Sequence, residues 1–223
     1  MTRAILFDVD GVLVHSRFHP DAKRRRLWDE HLLSDLGVDP ARLQAFFRTE
    51  FMPVITGQHS LVDALDTFLP TVGYTGSTLR FIEYWLERDT HVNYALIEEV
   101  TRLHRSADVR VFVATNQEHL RAAYLWRELR LGHVFDDMLY AARLGAAKPD
   151  PLFYERAARH LTACDGPPLL FDDSREVVEA ARAFGWDAAL FNDLEDFTTH
   201  PWIAANLRES GSARNRDTIV PAG

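Results

Sequence analysis

The stretch from Arg3 to Val14, RAILFDVDGVLV, restricts the possible folds of this chain more than any other. A strand-sized apolar run, Ala4 to Phe7, stops abruptly at two acids, Asp8 and Asp10, followed by Gly11. The acids are therefore expected at the carboxyl end of a buried strand. In an open parallel sheet that edge is where ligands bind, because the helices crossing over from it leave a crevice there. Strand alternation would set Asp8 and Asp10 on one side, and two carboxylates so placed call for a nearby cation. Taken alone, the motif reads equally well as an acidic turn bent at Gly11.

A chain of 223 residues is long enough for a main domain with a smaller one inserted in it. Between about Asp21 and His91 the pattern is helical, in the segments DAKRRRLWDEHLLSDLG, DPARLQAFFRTEF, SLVDALDTFLPTVG and STLRFIEYWLERD. Asp39 before Pro40, Ser60 and Ser77 suit N-caps, and Gly37 and Gly73 suit stops. Asn93 then caps an amphipathic segment with Leu96, Val100 and Leu103 on one face. From Val109 the period changes. Strands are predicted at Val109–Ala114, Asp137–Ala142, Pro168–Phe171 and Asp187–Phe191, alternating with helices at Leu120–Leu131, Pro149–Leu161 and Glu176–Phe184. The predicted fold is α/β: a doubly wound, parallel, five-stranded, Rossmann-like sheet with an all-helical unit inserted after the first strand. The expected division is a core of residues 1–16 and 93–209, a helical cap of 17–92, and a loose C-terminal tail of 210–223 in which Ser, Gly, Arg and Asn mix without periodicity.

If the strands are parallel, three of them end in chemically useful groups along one rim: Asp8 and Asp10, Thr115 and Asn116, Asp172 and Asp173. Lys148, in GAAKPDP, stands on a loop facing the same rim. Each station alone has an ordinary explanation: a helix cap at Asn116, a surface lysine at 148, acids complementing a helix dipole at 172–173. Their joint occurrence, in order and at strand ends, favours a site. Clustered carboxylates hold a hard divalent cation, Lys148 and Thr115 meet a dianion, and one carboxylate is left to attack. That arrangement suits phosphoryl transfer, and Mg²⁺ suits the oxygen ligands.

The motifs DVDGV at 8–12, ATN at 114–116, AAKPDP at 146–151 and FDDS at 171–174 resemble, in order, the four motifs of the haloacid dehalogenase (HAD) superfamily. The helical insert falls where that family carries its first type of cap. The resemblance implies Asp8 as the nucleophile that forms an aspartyl-phosphate, and Asp10 as the acid that protonates the leaving oxygen and then the base that activates water. It implies Thr115 and Lys148, with Asn116, on the phosphoryl group. Asp8, Asp172, Asp173 and the Asp10 backbone carbonyl would hold Mg²⁺. Motif two ends in Thr-Asn where Ser-Asn is commoner, Asp172 stands where many members have Gly, and His15-Ser16 departs from the residues often found after motif one.

The function implied is an Mg²⁺-dependent phosphatase for a small phosphomonoester, with a sugar phosphate as a candidate. The alternatives are a phosphomutase or a 2-haloacid dehalogenase on the same fold, or a module that binds a phosphorylated ligand without turnover. Asp10 separates the dehalogenase, whose halide leaves without a proton. In the insert, the run Lys23 to Arg26 suits a solvated face and the aromatics Phe46, Phe47, Phe51, Phe81 and Trp85 suit a local core. Arg17, Phe18 and His19, on the connection into the insert, are candidates to touch the leaving group.

The expected partner is a small phosphorylated metabolite. A net charge of −8 sets the global field against nucleic acid and anionic membrane, and no apolar run nears the roughly 20 residues of a membrane span. With no leader-like N-terminal segment, the expected compartment is the cytoplasm. The lone Cys164 excludes an internal disulfide and a thiolate zinc site.

Overall fold

The computed structural model of the chain describes residues 2–213 apart from 18, 20 and 21, and leaves the side chains of Arg24 and of 208–213 undescribed. The chain opens with β1 (Arg3–Phe7), then enters the insert: α1 (Leu32–Leu36), α2 (Pro40–Thr49), α3 (Phe51–Ile55), α4 (Leu61–Phe68) and α5 (Thr78–Arg88). It returns through α6 (Tyr94–Ser106), β2 (Val109–Thr115), α7 (His119–Arg127), β3 (Asp137–Tyr140), α8 (Ala141–Leu144) and α9 (Pro151–Ala158). It finishes with β4 (Leu169–Asp172), α10 (Arg175–Phe184), β5 (Asp187–Leu190), α11 (Leu194–Thr198) and α12 (Pro201–Ala213). The five strands form one all-parallel sheet in the order β3-β2-β1-β4-β5. The doubly wound α/β sheet read from the sequence is thus the fold, and β1 is its central strand. Among the described residues no helix is long and apolar enough to cross a membrane.

Period-two alternation divides the apolar run of β1 between two cores. Ile5 and Phe7 point to one face, where Val111, Val113, Leu169 and Phe171 join Leu96, Val100 and Leu103 of α6, with Phe197 and Ile203. Ala4 and Leu6 point to the other, with Phe112, Ala114 and Leu170 against Phe153, Tyr154, Val178 and Ala181 of α9 and α10. Each fully buried large side chain contributes about 1.5–3 kcal/mol of transfer free energy, so a central strand buried on both faces is the best anchored part of the rim. Phe7 stacks on Phe171 at 5.5 Å between ring centroids and meets Phe197 at 5.7 Å, which locks β1 to β4 one residue before Asp8 and Asp172.

The insert packs a third core of its own around Leu32, Leu43, Phe46, Leu65, Phe81 and Trp85. Asp39 caps α2 by accepting from Ala41 N at 2.8 Å, with Pro40 in the first turn, and Ser60 caps α4. The insert leaves and rejoins the rest of the chain side by side: His15 N donates to His91 O at 2.8 Å, and Val14 bridges Val92. Its Gly57 approaches the segment after β3 so closely that a Cβ there would stand 2.7 Å from Ala142 O.

Several local expectations need correction. The segment 21–37, expected as one helix, is helical among its described residues only over α1 and a single 3₁₀ turn at Ala22–Arg24. The cause is polar: Asp29 is 2% exposed and takes hydrogen bonds from Arg17 at 2.6 Å and Gln44 at 3.2 Å, while Arg25 and Arg26 donate to nearby backbone carbonyls of a bent chain. The strand expected at 137–142 ends at Tyr140, and Ala141–Leu144 forms a helical turn stopped by Gly145 in the left-handed region. Three helices, α3, α11 and α12, were not predicted. α12 runs through the first four residues of the expected loose tail, and 214–223 lie outside the described residues.

Candidate active site

The strand order places the ends of β2, β1 and β4 next to one another, so Thr115, Asp8 and Asp172 share a rim as the sequence predicts. Lys148 is the hub. Its side chain is 2% exposed, and Nζ meets Asp8 Oδ1 at 3.0 Å, Asp172 Oδ2 at 2.6 Å and Ala114 O at 2.7 Å. All three ammonium protons have partners. Burial works against this charge, but Asp172 and Asp8 outweigh it and hold the ammonium well above the ordinary lysine range. Asn116 positions the loop: its Nδ2 donates to Lys148 O and its Oδ1 accepts from Lys148 N, both at 2.8 Å. The Thr115 hydroxyl is buried and lies 3.5 Å from Gln117 Nε2.

Asp8, Asp172 and Asp173 bring carboxylate oxygens within 4.8 Å of one another. Burial, which Lys148 opposes and Asp172 and Asp10 reinforce, pushes Asp8 up to about 6; burial with the charges of Asp8 and Asp172 pushes Asp173 up to about 7. One lysine cannot neutralise three acids. Oxygen-only donors with charge in excess fit a hard divalent cation such as Mg²⁺. The acids are not equivalent, because Asp172 gives one oxygen to Lys148 and the other to Ser174 N at 2.9 Å. Asp173 lies instead against Gly11, which has φ +86 and on which a Cβ would stand 2.0 Å from Asp173 Oδ2. Gly11→Ala should therefore push Asp173 aside and strain the turn, lowering stability by about 1–3 kcal/mol and weakening Mg²⁺ binding about tenfold or more. A Mg²⁺-dependent rise in Tm matching wild type would refute this.

Asp10 departs from the expected geometry. β1 ends at Phe7 and the chain turns, with Asp10 bridging Val14, so strand alternation does not govern the pair. The Asp10 carboxylate is gripped by Arg121, at 2.7 Å from Nη2 and 2.8 Å from Nη1, and accepts from Gln117 Nε2 at 2.7 Å. Burial alone would raise its pKa, but Arg121 and Gln117 together hold the carboxyl below the usual range. Arg121, 5% exposed, also pairs with Asp89 at 2.8 Å. Arg121, Gln117 and Asp89 were not singled out from the sequence. A signal existed: Arg121 shares a helical stripe with Leu125, and an arginine on an apolar face requires an acid partner. Of the connection candidates, Arg17 is bound to Asp29 of the insert, His19 Nε2 lies 3.1 Å from Asn192 O, and Phe18 lies outside the described residues.

The family model for haloacid dehalogenase-like hydrolases matches residues 2–185. A "phosphorylated carbohydrates phosphatase" of Thermotoga maritima is 26% identical over 185 residues, covering 82% of this chain and 81% of that protein. "Phosphatase MT3486" of Mycobacterium tuberculosis is 28% identical over 200 residues, covering 84% and 86%. Among solved structures, the magnesium complex of HAD family enzyme bt-2542 from Bacteroides thetaiotaomicron superposes with a TM-score of 0.70 at 16% identity, over 90% of this chain and 98% of that one.

Proposed function

The chain belongs to the haloacid dehalogenase-like hydrolases, and from that premise we propose that it is an Mg²⁺-dependent phosphatase of small phosphomonoesters, sugar phosphates foremost, acting through an aspartyl-phosphate. The observation that carries this reading is Lys148 bound to both Asp8 and Asp172 within a group of three crowded carboxylates. The two relatives named as phosphatases, one of phosphorylated carbohydrates, support the substrate class.

Asp8, Asp173 and the Asp10 backbone carbonyl would hold Mg²⁺, with Asp172 beside them, and the ion supplies charge that lets an anionic nucleophile meet a dianionic ester. The protein does the rest. Lys148 fixes the Asp8 carboxylate, whose oxygen forms a bond to phosphorus as the ester P–O bond breaks. Thr115, Lys148 and the loop held by Asn116 steady the phosphoryl oxygens. Bound to Arg121, Asp10 is ionised; once off the guanidinium it takes up a proton from water, gives that proton to the departing alcohol oxygen, and then takes one from the water that hydrolyses the acyl phosphate. We read residues 17–92 as a cap over this rim and residues 1–16 and 93–209 as the core. Support comes from the insert's separate apolar core, its paired crossings and its Gly57 contact on Ala142.

Phosphate release from a panel of phosphorylated sugars and p-nitrophenyl phosphate, in EDTA and with Mg²⁺ restored, tests the reading. Activity should vanish in chelator and return with Mg²⁺, and full activity in EDTA or halide release from a 2-haloacid would overturn it. Binding should also depend on pH. Carboxyls raised to about 6 and about 7 hold protons that the cation must displace, so Mg²⁺ affinity rises as they ionise. The gain expected between pH 6 and 8 is about 20-fold, levelling above that. Calorimetric titration showing constant affinity across this range would contradict the ligand set.

A further inference from the structure

The charges gathered around Arg121 lie at the site's edge, and neither attack by Asp8 nor metal holding uses them. The guanidinium fork is full: Nη1 serves Asp10 Oδ2 and Gln117 Oε1, both at 2.8 Å, and Nη2 serves Asp10 Oδ1 at 2.7 Å and Asp89 Oδ2 at 2.8 Å. Asp89 ends α5, the last helix of the insert, and opens the return crossing whose His91 carbonyl takes the His15 amide. The same Asp89 oxygen accepts from Trp85 Nε1 at 3.3 Å, and Trp85 is part of the insert's core. One buried arginine thus joins the carboxylate beside the nucleophile to the segment on which the insert is hung.

We propose that Arg121 is a positioning residue that couples the placement of Asp10 to the seating of the helical insert, with Asp89 as the link. This rests on the reading of Asp10 as proton donor to the leaving oxygen. With both oxygens bound by Arg121, Asp10 must swing off the fork to reach a leaving group. A buried guanidinium deserted by its only counter-ion is strongly unfavourable. Asp89 removes that obstacle, since it keeps Arg121 paired when Asp10 departs. While the insert is seated Asp10 is free to work; when the crossing carries Asp89 away, Asp10 is the salt-bridge partner left to Arg121 among the described residues, beside Gln117 and the more distant charge of Glu118, and Arg121 holds it. Lysine cannot do this, because a point charge does not span two carboxylates as a planar fork does.

The test compares kcat/KM for an alkyl phosphate, whose alkoxide needs a proton, with that for p-nitrophenyl phosphate, whose nitrophenolate does not. Asp10→Asn serves as reference and should lower the alkyl-to-aryl ratio about 100-fold. Arg121→Lys should lower the same ratio about 20-fold, and Asp89→Asn, which keeps an acceptor oxygen but no charge, about fivefold. The double variant should be no worse than Arg121→Lys, since the two act as one unit. A purely structural arginine would depress both substrates equally along with Tm. If Asp10→Asn shifts the ratio while Arg121→Lys and Asp89→Asn leave it at the wild-type value, the coupling is overturned and the acid role of Asp10 stands. If Asp10→Asn itself does not shift the ratio, the acid role fails and the proposal goes with it. Should Arg121→Lys not fold, Asp89→Asn decides: a wild-type ratio there sinks the proposal.

Discussion

Asp8→Asn should abolish turnover, by about a thousandfold or more, and should raise the Tm of the metal-free protein at neutral and higher pH. The amide matches the carboxylate in shape and still offers an oxygen to Lys148, but it cannot form the bond to phosphorus. The stability gain follows from the crowding of acids. Burial and the neighbouring carboxylates push Asp8 up to about 6, above its unfolded value, so the folded state favours the protonated form. Its contribution to stability is complete below the unfolded pKa and is lost as pH rises through about 6. Asparagine does not ionise, so the variant should lead wild type at pH 8 and lose that lead toward pH 5. Two measurements bear on this: quenched-flow trapping of phosphorylated enzyme, and melting curves across the pH range in chelator. Residual turnover above about one part in a hundred would count against covalent catalysis by Asp8.

The second large effect is expected at Lys148, where Lys148→Met should lower turnover about 100-fold or more and destabilise the fold by about 3–5 kcal/mol. The methionine fills similar volume, so packing is not the cause. What is lost is the ammonium bound to Asp172, which is 1% exposed, together with the donor to Ala114 O. A buried acid then stands beside two others with nothing to offset it. Saturating Mg²⁺ should return part of the stability, because the ion brings charge to the same cluster, but should not return the turnover. Chemical denaturation with and without Mg²⁺ separates the two effects. A variant within about 1 kcal/mol of wild type in chelator would mean that the acids are protonated or hydrated instead.

What the sequence made legible was whatever local chemistry decides. Ala4 to Phe7 and Leu169 to Phe171 are apolar at every position and are stopped by acids, and Val111 to Ala114 is apolar and stopped by Thr115 and Asn116, so each reads as a buried strand with its functional end marked. Because parallel strands align their ends, the meeting of Asp8, Thr115, Asp172 and Lys148 followed from topology alone. Which acids Arg121 meets was illegible for the opposite reason. Its partners, Asp10 and Asp89, lie 111 and 32 positions away along the chain, and no periodicity reports such a meeting. The segment from Asp21 to Gly37 misled because its helical spacing is real, but buried Asp29 draws hydrogen bonds from Arg17 and Gln44 and bends it. α11 escaped notice because its capping box uses Asp193 and Asp196 rather than the usual Ser/Thr and Glu/Gln pair.

The adjacency of His15 and His91 has a consequence for the sheet. One backbone hydrogen bond of 2.8 Å ties the point where the chain leaves the sheet to the point where it comes back, so the core experiences everything between them as a single closed loop. The entropy of closing a loop grows only with the logarithm of its length, about 0.6 kcal/mol for each doubling. Helices can therefore be added to that loop, removed from it or exchanged at little expense to the sheet. The insert can diversify by whole segments, while Asp8 and Asp173 stay at the ends of β1 and β4 and Lys148 stays on the loop between α8 and α9, bound to Ala114 O of β2.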